Sequence, residues 1–123
     1  MYTLDTSAII YFLTNKDLAV KTIEKIFAES LFVYVPTVVR AELLSKSALS
    51  LDEENAIKSF LKNTTKIILD DHIADMSAYI RREYKLKLPD AIIAATAIAM
   101  GSVLVTGNES DFKKVKELKI IKV

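Results

Sequence analysis

Short apolar runs alternate along the chain with longer stretches in which apolar residues recur at helical spacing. The first unit shows the pattern: Tyr2 to Leu4 reads as a short strand, Asp5 ends it, and apolar residues follow at the spacing of one helix face. Thr6 or Ser7 is the predicted cap of that helix, since both side chains accept backbone hydrogen bonds well. The chain therefore opens with a strand, a carboxylate and a helix.

The same alternation continues to the carboxyl end. Pro36 ends one strand and suits the first turn of a helix, and Ser50 and Glu53 have the spacing of a capping box. Residues 90–100 are apolar almost all round, so this helix is predicted to be central. Their spacing predicts core positions for four aromatic residues: Phe12, Phe27, Phe32 and Phe60. The full reading predicts strands over 2–4, 31–35, 66–69, 103–105 and 119–123, and helices after residue 5, over 18–30, after Pro36, after Ser50, over 70–85, over 90–100 and near 110–118.

Strands that alternate with helices are typical of an α/β fold. The expected form is a three-layer α/β/α arrangement in which a central parallel sheet is covered on both faces and the crossovers are right-handed. The reading above predicts about five strands in that sheet. With 123 residues, of which 51% are hydrophobic, the chain has material for one well-filled core, so residues 1–123 are predicted to be a single domain.

Charge and cysteine content exclude several classes of protein. Charged residues make up 27% of the chain and nearly cancel at a formal +1, which excludes a polybasic tail or an acidic disordered arm. There is no cysteine, so any metal must be held by oxygen. The start lacks the pattern of a signal peptide, and the longest uncharged apolar run, Ala91 to Met100, is too short to span a membrane. These features predict a cytoplasmic protein without membrane association.

Four carboxylates, far apart in sequence, are predicted to converge at one edge of the sheet. In an open parallel sheet, function gathers beyond the carboxyl ends of the strands. Asp5 follows the first strand and Asp111 lies just after the fourth, so the two meet if those strands are neighbours. Asp90 opens the helix that leads into the fourth strand, and Glu42 lies early in the helix after the second strand. Both are therefore expected at the same edge.

Such a cluster points to a divalent cation. Two like charges ~4 Å apart repel by roughly 4 kcal/mol at an effective dielectric near 20, so four acids would either take up protons or bind metal. Oxygen ligands select hard cations, and Mg²⁺ or Mn²⁺ fits. Such an ion can activate water for attack on a phosphodiester and neutralise charge on the phosphoryl oxygens. His72, the only histidine, lies outside the predicted site, so no histidine base is expected there.

Four segments together resemble the PIN-domain pattern, in order and over nearly the full length. They are the strand with Asp5-Thr6-Ser7-Ala8, the helix of residues 36–43 that contains Glu42, the run of residues 88–95 that contains Pro89-Asp90, and residues 105–112, which contain Thr106-Gly107-Asn108-Glu109-Ser110-Asp111. No one motif is unique, whereas the ordered set is specific.

The resemblance implies a Mg²⁺- or Mn²⁺-dependent nuclease that acts on RNA, as in the VapC-type toxins that an antitoxin protein holds inactive. It implies that the residues matching Asp5, Glu42 and Asp90 form the metal site, with one or two ions, and that either Asp111 or Asn108 completes it. Thr6, Ser7 and Thr106 would support the site by hydrogen bonding, and Glu109 is a weaker candidate. A homodimer is also implied.

Each acid has a structural alternative. Asp5 and Asp90 could stabilise helix starts alone, and Glu42 could be a solvated helix charge. The acidic cluster at Asp70, Asp71 and Asp75 is interpreted as structural, because acids in the first turns of a helix suit its macrodipole. Basic residues within 81–87 and 113–116 could contact RNA phosphates or form only a solvated surface.

Two rival functions are weighed against the nuclease. A phosphoacceptor signalling domain shares the fold class, yet it carries an adjacent acidic pair after the first strand, where this chain has Asp5 followed by Thr6. The other rival is a PIN-like domain that binds RNA or protein without cleaving. The four acids together favour a metal-dependent endoribonuclease that cleaves single-stranded or structured RNA, as the toxin of a type II toxin–antitoxin pair.

Overall fold

A computed structural model describes residues 1–123. Five strands and seven helices follow one another in the predicted alternation. The strands are β1 (Tyr2–Leu4), β2 (Val33–Pro36), β3 (Thr65–Ile67), β4 (Val103–Thr106) and β5 (Ile120–Lys122). The helices are α1 (Thr6–Leu13), α2 (Asp17–Glu29), α3 (Thr37–Leu44), α4 (Leu51–Leu61), α5 (Asp71–Tyr84), α6 (Leu88–Ala99) and α7 (Glu109–Phe112).

The strands form one all-parallel sheet in the order β3-β2-β1-β4-β5. Helices flank the sheet, which confirms the predicted three-layer α/β/α fold. The chain leaves β1 toward β2 and β3, and then returns to β4 and β5 on the other side of β1. The strand order therefore reverses between β1 and β4, which is where open α/β sheets form their binding crevice.

Helix α6 is the centre of the molecule, as predicted. Seven consecutive residues from Ala91 to Ala97 are buried. Alanine at four of these positions lets the helix lie close to its neighbours, and α6 packs against α5, α3 and the middle strands. The first turn of this helix is consequently held in place by the core.

Several predicted boundaries were wrong by a few residues. Helix α1 is capped by Asp5 and not by Thr6 or Ser7, which are its first two residues. Strand β2 begins at Val33, and the two residues before it are exposed, Leu31 to 93% and Phe32 to 47%. Phe32 is therefore not a core residue, contrary to its spacing, and stacks on Tyr34 at a centroid distance of 6.0 Å. The other predicted core aromatics, Phe12, Phe27 and Phe60, pack together at 5.1 and 5.6 Å.

No helix of this structure combines the length and the apolar character that crossing a membrane requires.

Candidate metal centre

Asp5 lies at the carboxyl end of β1 and is 3% exposed. Its backbone N–H donates to the Val105 carbonyl of β4 at 3.2 Å, which places it at the strand reversal. Its Oδ1 accepts from the backbone N–H of Ala8 at 2.9 Å, so it caps α1, and its Oδ2 points toward β4. The structural and the functional interpretations of Asp5 are compatible, because the cap occupies one oxygen only.

Hydrogen bonds from two hydroxyls hold the Asp5 carboxylate. Ser7 donates to Oδ1 at 2.7 Å and the buried Thr106 donates to Oδ2 at 2.6 Å. The Ser7 hydroxyl also accepts from the N–H of Gly107, and the Thr106 hydroxyl accepts from the N–H of Asn108. Ser7 and Thr106, two of the predicted supporting residues, thus tie the start of α1 to the loop after β4.

Burial raises the pKa of Asp5, and the nearby charge of Glu42 raises it further. The hydrogen bonds from Thr106, Ala8 and Ser7 oppose that shift by stabilising the ionised form. Because the shift remains upward, the metal-free protein bears a cost for keeping this carboxylate charged.

Glu42 is half-buried on α3 and is oriented by Thr6. The Thr6 hydroxyl donates to Glu42 Oε1 at 2.7 Å, across 36 residues of sequence. Glu42 makes no ion pair with Arg40 or Lys46, and Lys46 instead bridges Glu53 at 2.6 Å. The alternative that Glu42 is an ordinary solvated helix charge is therefore weakened.

Asp90 occupies the first turn of α6 and is half-buried. Burial raises its pKa most, followed by the charges of Asp111, Glu42 and Asp5, while Lys87 lowers it. The charges of all three other predicted acids thus raise the pKa of Asp90. The four predicted acids lie at the predicted edge of the sheet, with the other three near enough to Asp90 to raise its pKa.

Asp111 and Asn108 occupy different places in the site. Asp111 lies on α7 and its charge acts more strongly on Asp90 than that of any other residue. Asn108 is exposed, and its Nδ2 donates to Asp111 Oδ2 at 2.6 Å. Asn108 thus orients the carboxylate of Asp111, which is near enough to Asp90 to raise its pKa. Glu109 is exposed and its carboxylate makes no hydrogen bond.

None of these four acids takes part in an ion pair. The three ion pairs of the protein, centred on Lys21, Lys46 and Lys58, lie elsewhere. No three acidic or histidine side chains lie close enough, as placed, to enclose an ion directly. The donor set still fits Mg²⁺ or Mn²⁺, because Mg²⁺ usually takes one or two carboxylates and keeps several waters. An uncompensated group of carboxylates is also the arrangement that a divalent cation relieves.

The second acidic cluster has a structural role at its first member. Asp70 caps α5 by accepting from the N–H of Ile73 at 2.9 Å, while Asp71, His72 and Asp75 are exposed. This agrees with the interpretation that these acids suit the start of the helix.

Two features of the site were not anticipated. Lys87, at the N-cap position of α6, is the only nearby cation that favours the ionised form of Asp90. Gly107 packs against the ring of Tyr11, and a Cβ at this glycine would clash with Tyr11 Cε2. Only one feature of the sequence pointed to the contact between Gly107 and Tyr11. Tyr11 lies one helical turn after Ser7, on the same face of α1.

The chain matches the family model described as PIN domain over residues 2–118. No curated protein sequence matches it. Among solved structures, it is similar to VapBC2 from Rickettsia felis bound to a DNA fragment from the promoter, with 24% identity, a TM-score of 0.86, and 99% of this chain and 98% of that chain covered.

Two further structures are similar over nearly their whole length. A toxin–antitoxin complex from Klebsiella pneumoniae is 28% identical, with a TM-score of 0.84 and coverage of 99% of this chain and 97% of that chain. DNA-bound VapBC from Salmonella typhimurium is 22% identical, with a TM-score of 0.85 and coverage of 98% and 96%.

Proposed function

Because the chain belongs to the PIN-domain family, we propose that it is a Mg²⁺- or Mn²⁺-dependent endoribonuclease and the toxin of a toxin–antitoxin pair. One observation carries the nuclease proposal: Asp5, Glu42, Asp90 and Asp111 lie at the edge of the sheet where the strand order reverses, and no lysine or arginine forms an ion pair with them. Similarity to structures of toxin–antitoxin complexes supports the biological role.

The four carboxylates would hold one or two ions, and their neighbours determine how they do so. Asp5 is fixed by three donors and leaves lone pairs on Oδ2. Thr6 orients Glu42, and Asn108 orients Asp111. Partial positive charge at the start of α6 favours the ionised form of Asp90, in the same sense as Lys87.

Mg²⁺ or Mn²⁺ bound here would supply an activated water and neutralise the charge that develops on the phosphoryl group. The chain itself must supply the proton acceptor. His72 lies on α5, outside the site, so that role falls to a carboxylate of the cluster. Burial, and to a lesser degree repulsion from neighbouring acids, raises the pKa values of Asp5 and Asp90, so each carboxylate is a stronger base in the metal-free protein than an exposed aspartate.

Cleavage of a labelled single-stranded RNA tests the nuclease proposal. We expect cutting with Mg²⁺ or Mn²⁺, none with chelator, and loss of cutting by at least about 100-fold in Asp90→Asn, the scale typical of removing a group essential to proton transfer or charge stabilisation. Asp75→Asn removes the same charge from exposed α5 and is the matched control. Equal cleavage by all three proteins would contradict the proposal, and RNA binding without cleavage would favour the non-cleaving binding domain.

An apolar groove beside Glu42 supports the proposed antitoxin partner. It has a volume of about 440 Å³ and lies between α1, α3 and α4. Six of its ten lining residues are hydrophobic, and Ile10 on its wall is 44% exposed. A protein segment with an apolar face that fills this groove would reach Glu42 and block the candidate site.

The antitoxin proposal predicts a variant that separates inhibition from activity. Ile10→Asp should leave RNA cleavage unchanged and weaken inhibition by the protein encoded beside this gene, because a charge would be buried in the groove. Leu18→Asp, at an exposed position on α2, is the control. Full inhibition of both variants would place the antitoxin elsewhere.

A further inference from the structure

A polar cavity, distinct from the apolar groove, lies beside the start of α3, and none of the acids described above lines it. It has a volume of about 340 Å³ and is enclosed by α3, the end of α4 and the edge strand β3. Arg40 lines it from α3, Lys58 and Lys62 from α4 and the residue that follows it, and Lys66 from β3. Only two of its nine lining residues are hydrophobic, so an apolar ligand is not expected.

The cavity concentrates positive charge in a chain that is otherwise nearly neutral. Four of the nine lining residues are cationic and none is acidic, which gives a local charge of +4 against +1 for the whole chain. Glu54 approaches Lys58 to 3.8 Å from outside and offsets one of these charges. Arg40, Lys62 and Lys66 take part in no ion pair. Three uncompensated cations around one cavity attract an anion.

The chemistry of the lining specifies a phosphate group of a nucleic-acid backbone. Arginine presents a planar fork that suits phosphate oxygens, and lysines act as point charges beside it. No aromatic residue lines the cavity, so it offers no aromatic ring on which a base could stack. Contact would therefore be made with the backbone and would be independent of sequence.

Helix α3 connects this cavity with the acidic cluster. Thr37 and Arg40 line the cavity, and Glu42 belongs to the acids. Two residues turn a helix by about 200°, so Arg40 and Glu42 point to nearly opposite sides of α3. Thr37 and Glu42 are five residues apart, which is roughly 7.5 Å along the helix axis. A strand that contacts both the cavity and Glu42 would therefore cross α3.

We propose that this cavity binds a backbone phosphate of the RNA strand that is cleaved at the four acids. The inference rests on the proposed nuclease function and deepens it by adding a second point of contact. Two contacts on one strand would orient the RNA across α3 before cleavage, without selecting its sequence.

The test compares two variants with the same loss of charge. Lys62→Gln/Lys66→Gln removes two cations of the cavity, and Lys119→Gln/Lys122→Gln removes two exposed lysines at the opposite edge of the sheet. Binding of a labelled single-stranded RNA is followed by fluorescence anisotropy in chelator, over a range of salt concentrations. Thermal unfolding of each variant confirms that it is folded.

We expect the cavity variant to bind RNA about tenfold more weakly at low salt. The slope of log K against log salt should fall by about 0.7, the contribution of one contacted phosphate of a single strand. The control should stay close to the wild type. Equal affinities and slopes in the two variants would overturn the inference.

Cleavage of the same RNA separates this inference from the proposed function. Metal-dependent cleavage with unchanged RNA binding in the cavity variant would overturn the inference alone. Cavity-dependent binding without cleavage would support the phosphate site and overturn the nuclease proposal. Inorganic phosphate is the last probe: if it raises the melting temperature of the wild type but not of the cavity variant, while RNA affinity is equal in both, the cavity takes free phosphate and the RNA assignment is wrong.

Discussion

Replacing Thr106 by valine tests the hydrogen-bond network that holds Asp5. Valine keeps the shape and the β-branching but removes a hydroxyl that donates to Asp5 at 2.6 Å and accepts from the N–H of Asn108 at 2.8 Å. A hydrogen bond to a charged group contributes about 1.5–3 kcal/mol, and one between neutral groups about 1 kcal/mol. The expected loss is therefore about 2.5–4 kcal/mol, or roughly 10–15 °C in melting temperature for a domain of this size.

Thr96→Val is the matched control. Thr96 is equally buried, at 1% exposure against 0% for Thr106, but its hydroxyl donates only to the Ile92 carbonyl one turn earlier in α6. That carbonyl also belongs to the backbone ladder of the helix, so removing the hydroxyl leaves no buried group unsatisfied. Its cost should stay within about 1 kcal/mol.

The cost of Thr106→Val should depend on pH. The Thr106 hydrogen bond lowers the pKa of Asp5, which means that it stabilises the ionised form. Its contribution is present above that pKa and is lost as the pH falls through it. Because burial raises the pKa of Asp5 overall, the loss should begin at a higher pH than for an exposed aspartate.

Urea unfolding in chelator, followed by circular dichroism at neutral and acidic pH, measures both effects. Equal losses in Thr106→Val and Thr96→Val, or a difference between them that does not change with pH, would refute the reasoning that the network serves an ionised Asp5.

Three further predictions concern the remainder of the site and the assembly. Asp90→Asn should raise the free energy of unfolding of the metal-free protein by about 1 kcal/mol at neutral pH. Burial and three acids raise the pKa of Asp90, so its ionised form destabilises the wild type, and this cost appears as the pH rises through that pKa. In acid, where Asp90 is protonated, the variant should be no more stable than the wild type. Gly107→Ala should lower the free energy of unfolding by about 1–3 kcal/mol, because the added Cβ meets the Tyr11 ring. In a Tyr11→Ala background the same substitution should change it by no more than about 0.5 kcal/mol, and a double-mutant unfolding cycle measures the difference. Light scattering should give the mass of two chains and not 13.8 kDa if the predicted homodimer forms.

The fold was predictable because local and long-range signals agree in this chain. Alternating strands and helices specify a parallel α/β sheet, and parallel strands bring the residues at their carboxyl ends to one edge. That reasoning placed Asp5 beside the loop of Asp111 and located Asp90 at the start of the central helix, without any knowledge of the strand order. The observed order confirms the neighbouring positions of β1 and β4.

The sequence did not determine which of three suitable residues caps α1. Asp5, Thr6 and Ser7 are all good helix caps, and tertiary partners decide among them. Thr6 donates to Glu42 and Ser7 donates to Asp5, so the aspartate remains as the cap. The exposure of Phe32 likewise depends on where β2 joins the sheet and not on its local sequence.

The basic cavity also lay beyond sequence reasoning. Its four cations come from two helices and an edge strand, and none is part of the charged runs over 81–87 and 113–116 that the sequence singles out. Only the packing of α3, α4 and β3 brings them together. Spacing along a chain identifies one face of one helix, whereas a cavity needs the register of several elements.

Binding of Mn²⁺ tests the central claim most directly, and electron paramagnetic resonance of the free ion during titration measures it. The account predicts one or two bound ions in the wild type, loss of that binding in Asp90→Asn, and unchanged binding in Asp75→Asn, where the same charge is removed from α5. Equal binding by all three proteins, or loss only in Asp75→Asn, would contradict the account, because the acids at the strand reversal would then not be the metal site.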